Sequence, residues 1–121
     1  MNLNDRTAQA IEDTVSWFPH LEDDVSHAII GLCGEAGEAA GEYKKWYRSG
    51  AQVLDTDTRT AIGYEIVDVF VYAFCLAGQL GIDLEDLYDR KRKYNEKRFG
   101  SNGRGRSDSP GRGAKEATST G

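Results

Sequence analysis

Residues 66–74 read "IVDVFVYAF", and how they are read decides the fold class. β-branched and aromatic residues of this kind favour a strand. The stretch lies, however, inside a longer spacing of three and four: Ile62, Ile66, Val69, Phe70, Ala73, Leu76, Ala77 and Leu80. That spacing gathers them on one side of a helix. Nothing along the chain alternates with period two over a useful length. The expectation is an all-α fold, with this helix starting after Thr56 or Asp57 and closed by Gly81 near Leu80.

Three more helices fall on either side. The first runs from about Asn4, a candidate N-cap, to Trp17, where Pro19 ends it. The second runs from about Glu22 to Arg48 and stops at Ser49-Gly50. The polar loop "AQVLDTDT" leads into the third. The fourth starts after Asp83, with Asp86 three residues on, and continues to about Arg98. Residues 101–121, "SNGRGRSDSPGRGAKEATSTG", hold no aromatic or large aliphatic side chain. Such a segment cannot bury enough surface to offset its ordering entropy. One domain over residues 1–100 and a disordered Gly/Ser/Arg-rich tail over 101–121 are therefore expected.

The balance of charge narrows the partners. Residues 1–100 carry 11 Lys/Arg against 18 Asp/Glu, and the tail 4 against 2. An acidic body argues against nucleic-acid binding driven by phosphate neutralisation. It leaves room for a small phosphate compound held through a metal ion. No apolar run is expected to reach the length that spans a bilayer, and the N-terminus "MNLNDRTAQAIEDT" lacks a signal peptide's basic start and apolar block. A cytoplasmic setting follows, with no membrane partner and no stable nucleic-acid partner. Cys33 and Cys75, each in an apolar stretch, are read as free and buried.

The chemistry concentrates in residues 31–43, "GLCGEAGEAAGEY". At about 100° per residue, Glu38 and Glu42 fall at about −60° and −20° from Glu35. Ile29, Leu32, Ala36, Ala39, Tyr43 and Trp46 fill the adjoining sector from about +20° to +120°. The carboxylates thus flank an apolar stripe. The third helix repeats the arrangement with Glu65 and Asp68, three apart. If these two helices pack antiparallel, a pair of carboxylates from each converges. Four such groups repel unless protons or a cation sit among them. Mg²⁺, with Mn²⁺ as a substitute, suits an all-oxygen set. Gly34, Gly37 and Gly41 each weaken the helix by about 0.5–1 kcal/mol, which implies close approach by a neighbouring helix or a ligand.

These residues resemble a known family. "GEAGEAAGEYKK" (34–45) followed by "EIVDV" (65–69) looks like the E-x-x-E…E-x-x-D pattern of the MazG-like, all-α nucleoside triphosphate pyrophosphohydrolases. "KRKYNEKRF" (91–99) resembles the family's K-x-x-x-N-x-x-R element. The likeness covers roughly residues 3–99. It implies Glu35, Glu38, Glu65 and Asp68 as Mg²⁺ ligands, and Lys91, Asn95 and Arg98 as triphosphate-binding groups. It further implies hydrolysis of nucleoside triphosphates, deoxynucleoside triphosphates foremost, to monophosphate and pyrophosphate. The spacing of four and three puts Lys91, Asn95 and Arg98 on one helix face, and a lysine and an arginine suit phosphate oxygens.

Glu38 is the candidate proton acceptor from water. Tyr72, Trp46 and Trp17 are the candidates for stacking on the base, with Phe18 and Tyr47 behind them. His20 and His27 have no partner visible in the sequence. A third helix apolar over most of its circumference requires more cover than four helices give, so a homodimer is expected; the resemblance implies dimers, alone or paired into tetramers. Two rival readings differ in substrate or class. One is a narrower relative hydrolysing dCTP or dUTP, or phosphoribosyl-ATP. The other is a non-catalytic helical module that binds a structural ion or a partner.

Overall fold

Asn2 opens the first helix, because its side chain accepts from the Asp5 amide at 2.8 Å while the Asp5 carboxylate accepts from the Asn2 amide at 2.9 Å. This reciprocal box satisfies two amides that a helix start leaves unpaired. The computed structural model describes residues 1–100, and all its regular structure is helical. The helices are α1 (Leu3–Trp17), α2 (Val25–Arg48), α3 (Thr56–Gln79) and α4 (Leu84–Phe99), with a 3₁₀ turn at Pro19–Leu21. No strand occurs among the described residues, so the all-α expectation holds and residues 66–74 are helical. The expected disordered tail lies outside the described residues.

Three helix starts differ from the sequence expectation, at α1, α2 and α3. The N-cap of α1 is Asn2, not Asn4; the Asn4 side chain instead donates to Asp83 Oδ1 at 2.9 Å. The second helix starts at Val25 rather than Glu22, because the Asp24 side chain accepts from the His27 amide at 2.9 Å and caps it there. For α3, Asp55 plays the same part through the Thr58 amide at 3.0 Å. The Thr58 hydrogen bonds, from side chain and backbone, hold the Asp55 carboxyl below its usual range. Gly81, at φ 68°, closes α3 in the left-handed region.

Residues 1–83 form one compact unit and α4 belongs to another. In the first unit α3 is central, packing along α2 and against α1. Thr14 meets Cys75 while Thr7 and Ile11 meet Gly78, so α1 and α3 run antiparallel. The buried core is made of small side chains: Ala10, Ala28, Cys75 and Ala77, with Thr7. Cys75 is free and buried as expected, but Cys33 is exposed.

The glycines act differently from the expectation. A Cβ at Gly34, Gly37 or Gly41 would meet open space, whereas one at Gly31 would run into the Tyr72 ring. Gly31 is therefore the glycine whose missing side chain seats a neighbour. Gly31→Ala is expected to destabilise by about 1–3 kcal/mol through overpacking, less the helix gain of about 0.5–1 kcal/mol. Gly37→Ala should only gain stability. Urea midpoints of the two variants read the contrast.

Much apolar surface stays uncovered within the unit. Val67 is 52% and Phe70 55% exposed, and the stripe on α2 is open at Ile29 and Tyr43. By length and composition α3 is long and apolar enough to cross a membrane. That corrects the expectation that no apolar segment approaches such a length. Glu65 and Asp68 interrupt the run of letters, yet an 18-residue window of the helix stays apolar.

Candidate functional site

The acidic groups sit where α2 and α3 lie side by side. Glu35 and Glu38 are one turn apart on α2, and Glu65 faces them from α3. Each offers a carboxylate oxygen, and these oxygens all lie within 4.8 Å of one another. Glu35 and Glu65 are half-buried and Glu38 is exposed. Asp68 does not join this mutual grouping, although its charge acts on Glu65 and it lines the adjoining cleft beside Glu35. Glu42, in line with Glu35 and Glu38 by sequence, turns away to pair with Lys45 at 3.2 Å. A surface pair of this kind adds little stability.

Glu65 feels the crowding. Desolvation first, then a hydrogen bond with Glu35, then the charges of Glu38, Glu35 and Asp68 raise its pKa above the ordinary 4.5. The pH dependence follows with a definite sign. Below the unfolded value Glu65 is protonated in both states and the crowding has no effect. As pH rises through the raised folded value, the folded state must carry the charge, and stability falls. In metal-free buffer the melting temperature should therefore decline as pH climbs past the usual glutamate range. Glu65→Gln should flatten that decline, which thermal melts across a pH series measure.

The donor set fits a small divalent cation. Two oxygens at about 2.0–2.1 Å from one Mg²⁺ lie at most about 4.2 Å apart. Oxygens within 4.8 Å reach that spacing by a slight side-chain adjustment. All the donors are hard carboxylate oxygens, which favours Mg²⁺ or Mn²⁺ over softer ions.

Beside the cluster a cleft of about 520 Å³ opens between α1, the 3₁₀ turn, α2 and α3. That volume suits a small ligand. Glu35 and Asp68 stand at one end, and Trp17, Phe18, His27 and Tyr72 supply aromatic walls. Tyr72 is fixed by Gly31 behind it and by the His27 ring, 5.9 Å away between centroids.

Of the three aromatic candidates, Tyr72 and Trp17 line the cleft and Trp46 does not. The Trp46 indole donates to the Val53 carbonyl at 3.0 Å and its ring meets Tyr43, so it pins the loop before α3. His27, without a partner in the sequence reading, is a cleft residue. Asp13 and Gln79 also line the cleft and were not anticipated. Asp13 lies one turn before Trp17 on α1; that i, i+4 relation was the signal that could have found it.

On α4, considered by itself, Lys91 Nζ donates to Asn95 Oδ1 at 3.2 Å. The Lys91 ammonium also lies 5.4 Å from the Tyr94 ring centroid, and the Arg98 guanidinium 4.5 Å from that of Phe99. Lys91 and Asn95 are thus neighbours on one face, as their spacing implied.

The chain is similar to the "Gene 37 protein" of Mycobacterium phage L5, 36% identical over 66 residues, which is 54% of this chain and 58% of the phage protein. The chain thus matches little more than half the length of that relative. No protein-family model and no solved structure matches the chain.

Proposed function

We propose that the protein is a Mg²⁺-dependent nucleoside triphosphate pyrophosphohydrolase of the MazG-like kind, releasing monophosphate and pyrophosphate. The observation that carries the reading is the convergence of Glu35, Glu38 and Glu65 from two helices beside an aromatic-walled cleft. An isolated acidic pair on a helix is usually a solvated face. Carboxylates from two helices, crowded enough to raise a pKa, are better explained by a cation that they share.

In this reading Glu35, Glu38 and Glu65 would hold the metal, with Asp68 as a fourth carboxylate close by. When bound, the ion neutralises phosphate charge and lowers the pKa of water. Glu38, the most exposed of the three convergent groups, takes the proton from the water that attacks the α-phosphorus. The bond from that phosphorus to the bridging oxygen breaks, and pyrophosphate leaves. Lys91, Asn95 and Arg98 are assigned to the phosphate chain, with charge from the first and last and a neutral amide between them. The base lies in the cleft against Tyr72 and Trp17. A second copy of the chain covers the open apolar face of α3, and the protein works in the cytoplasm. Incubation with each common NTP and dNTP plus Mg²⁺ tests the reading; monophosphate with pyrophosphate supports it. Metal-dependent stabilisation with no turnover of any nucleotide would favour a non-catalytic helical module instead.

A further inference from the structure

The polar groups that line the cleft away from the acidic cluster are acceptors. At about 1.5 Å of rise per residue, Cys75 stands roughly 10 Å along α3 from Asp68. Antiparallel packing brings Thr14, with its neighbour Asp13, to the level of Cys75. Asp13 presents a half-buried carboxylate there. The Thr14 hydroxyl donates to the Ala10 carbonyl at 2.9 Å, so its proton is committed; Cys75 Sγ lies 2.9 Å from the Thr14 hydroxyl oxygen.

Gln79, one turn further, is oriented by its neighbours. Its Nε2 donates to the Leu21 and Glu22 carbonyls at 3.4 and 3.1 Å, and those acceptors require the amide nitrogen on that side. Its Oε1 is buried with no hydrogen-bond partner, and Gln79 is one of the residues that line the cleft. A buried acceptor left unpaired is costly, and a ligand that brings a donor relieves it. The donors of the cleft lie elsewhere: Tyr72 one turn from Asp68, His27 against Tyr72, and Trp17 a turn nearer that end than Asp13.

We propose that this end of the cleft selects an amino-bearing nucleobase (cytosine, adenine or guanine) over uracil and thymine. Asp13 is the specificity-determining residue and Gln79 Oε1 a second acceptor. An exocyclic amine presents two N–H donors to these groups. Uracil and thymine present one ring N–H flanked by two carbonyl oxygens, which set acceptor against acceptor. The inference rests on the cleft being a nucleotide site, as the proposed function holds, and it deepens that reading by naming the substrate class.

Two measurements separate the ideas. The first is calorimetric binding of dCMP, dAMP, dGMP, dTMP and dUMP to the full chain, which needs no turnover. The amino-bearing monophosphates should bind about tenfold or more tighter than dTMP and dUMP, as expected for one satisfied against one opposed acceptor. The second is the ratio of kcat/KM for dCTP over dTTP with Mg²⁺, which should show the same preference. Asp13→Asn, whose amide can turn either face to the base, should bring both ratios toward one, with folding checked by helicity. The wild-type ratios stand whether or not that variant folds. Equal binding of all five, or preference for the keto bases, overturns the inference, as does a preference that Asp13→Asn leaves intact. Turnover without base preference leaves the hydrolase standing and removes this inference. Selective binding without turnover does the reverse.

Discussion

Glu38→Gln is expected to reduce kcat by about 10²–10⁴-fold, the usual contribution of a positioned general base. The loss should be in kcat more than in KM, because the amide keeps the side chain's size and one oxygen. The same substitution should raise stability in metal-free buffer, since it removes one of the charges acting on Glu65. Opposite signs on activity and stability are the signature of a residue that crowds the folded state for a functional reason. Steady-state kinetics and a metal-free thermal melt on the same preparation read both. A variant that keeps full activity would remove Glu38 from the mechanism.

Removing divalent cations with EDTA is expected to abolish turnover, and Mg²⁺ or Mn²⁺ should restore it. The same ions should stabilise the fold. A ligand at ten times its Kd adds about 1.4 kcal/mol, worth about 4–8 °C per kcal/mol in a domain of 60–100 residues. The shift should saturate with Mg²⁺ and shrink strongly in Glu65→Gln and Glu35→Gln. It should grow as pH rises past the glutamate range, because Glu65 must lose its proton to bind. A melting temperature indifferent to Mg²⁺ at neutral pH would argue that the cluster holds no ion.

The three- and four-residue spacing around residues 66–74 sufficed to make α3 a helix, because a long amphipathic pattern outweighs the strand preference of single β-branched residues. The convergence of Glu35, Glu38 and Glu65 was legible in part: turn angle put the carboxylates beside each apolar stripe, and antiparallel packing of the two helices had to be assumed. Asp68 was placed less well, since three-residue spacing does not say how far a short side chain reaches. The cap at Asn2 was hidden by Asn4, an equally good capping residue, and only the Asn2–Asp5 reciprocity separates them.

Gly31 and Tyr72 illustrate what a sequence does not carry. Which of four glycines faces a ring depends on the relative height of two helices, and no local pattern encodes that height. His27 became a cleft residue for the same reason, through the return of the chain by way of the Pro19–Leu21 turn. The open apolar face of α3, by contrast, was foreseen from its wide hydrophobic arc.

The central claim is that acidic side chains from α2 and α3 direct water to the α-phosphorus of a bound triphosphate. Hydrolysis in H₂¹⁸O with Mg²⁺, followed by mass spectrometry of the products, tests it most directly. The account predicts the label in the nucleoside monophosphate, with unlabelled pyrophosphate released beside it. Label in pyrophosphate or orthophosphate, or diphosphate as the nucleotide product, would contradict it.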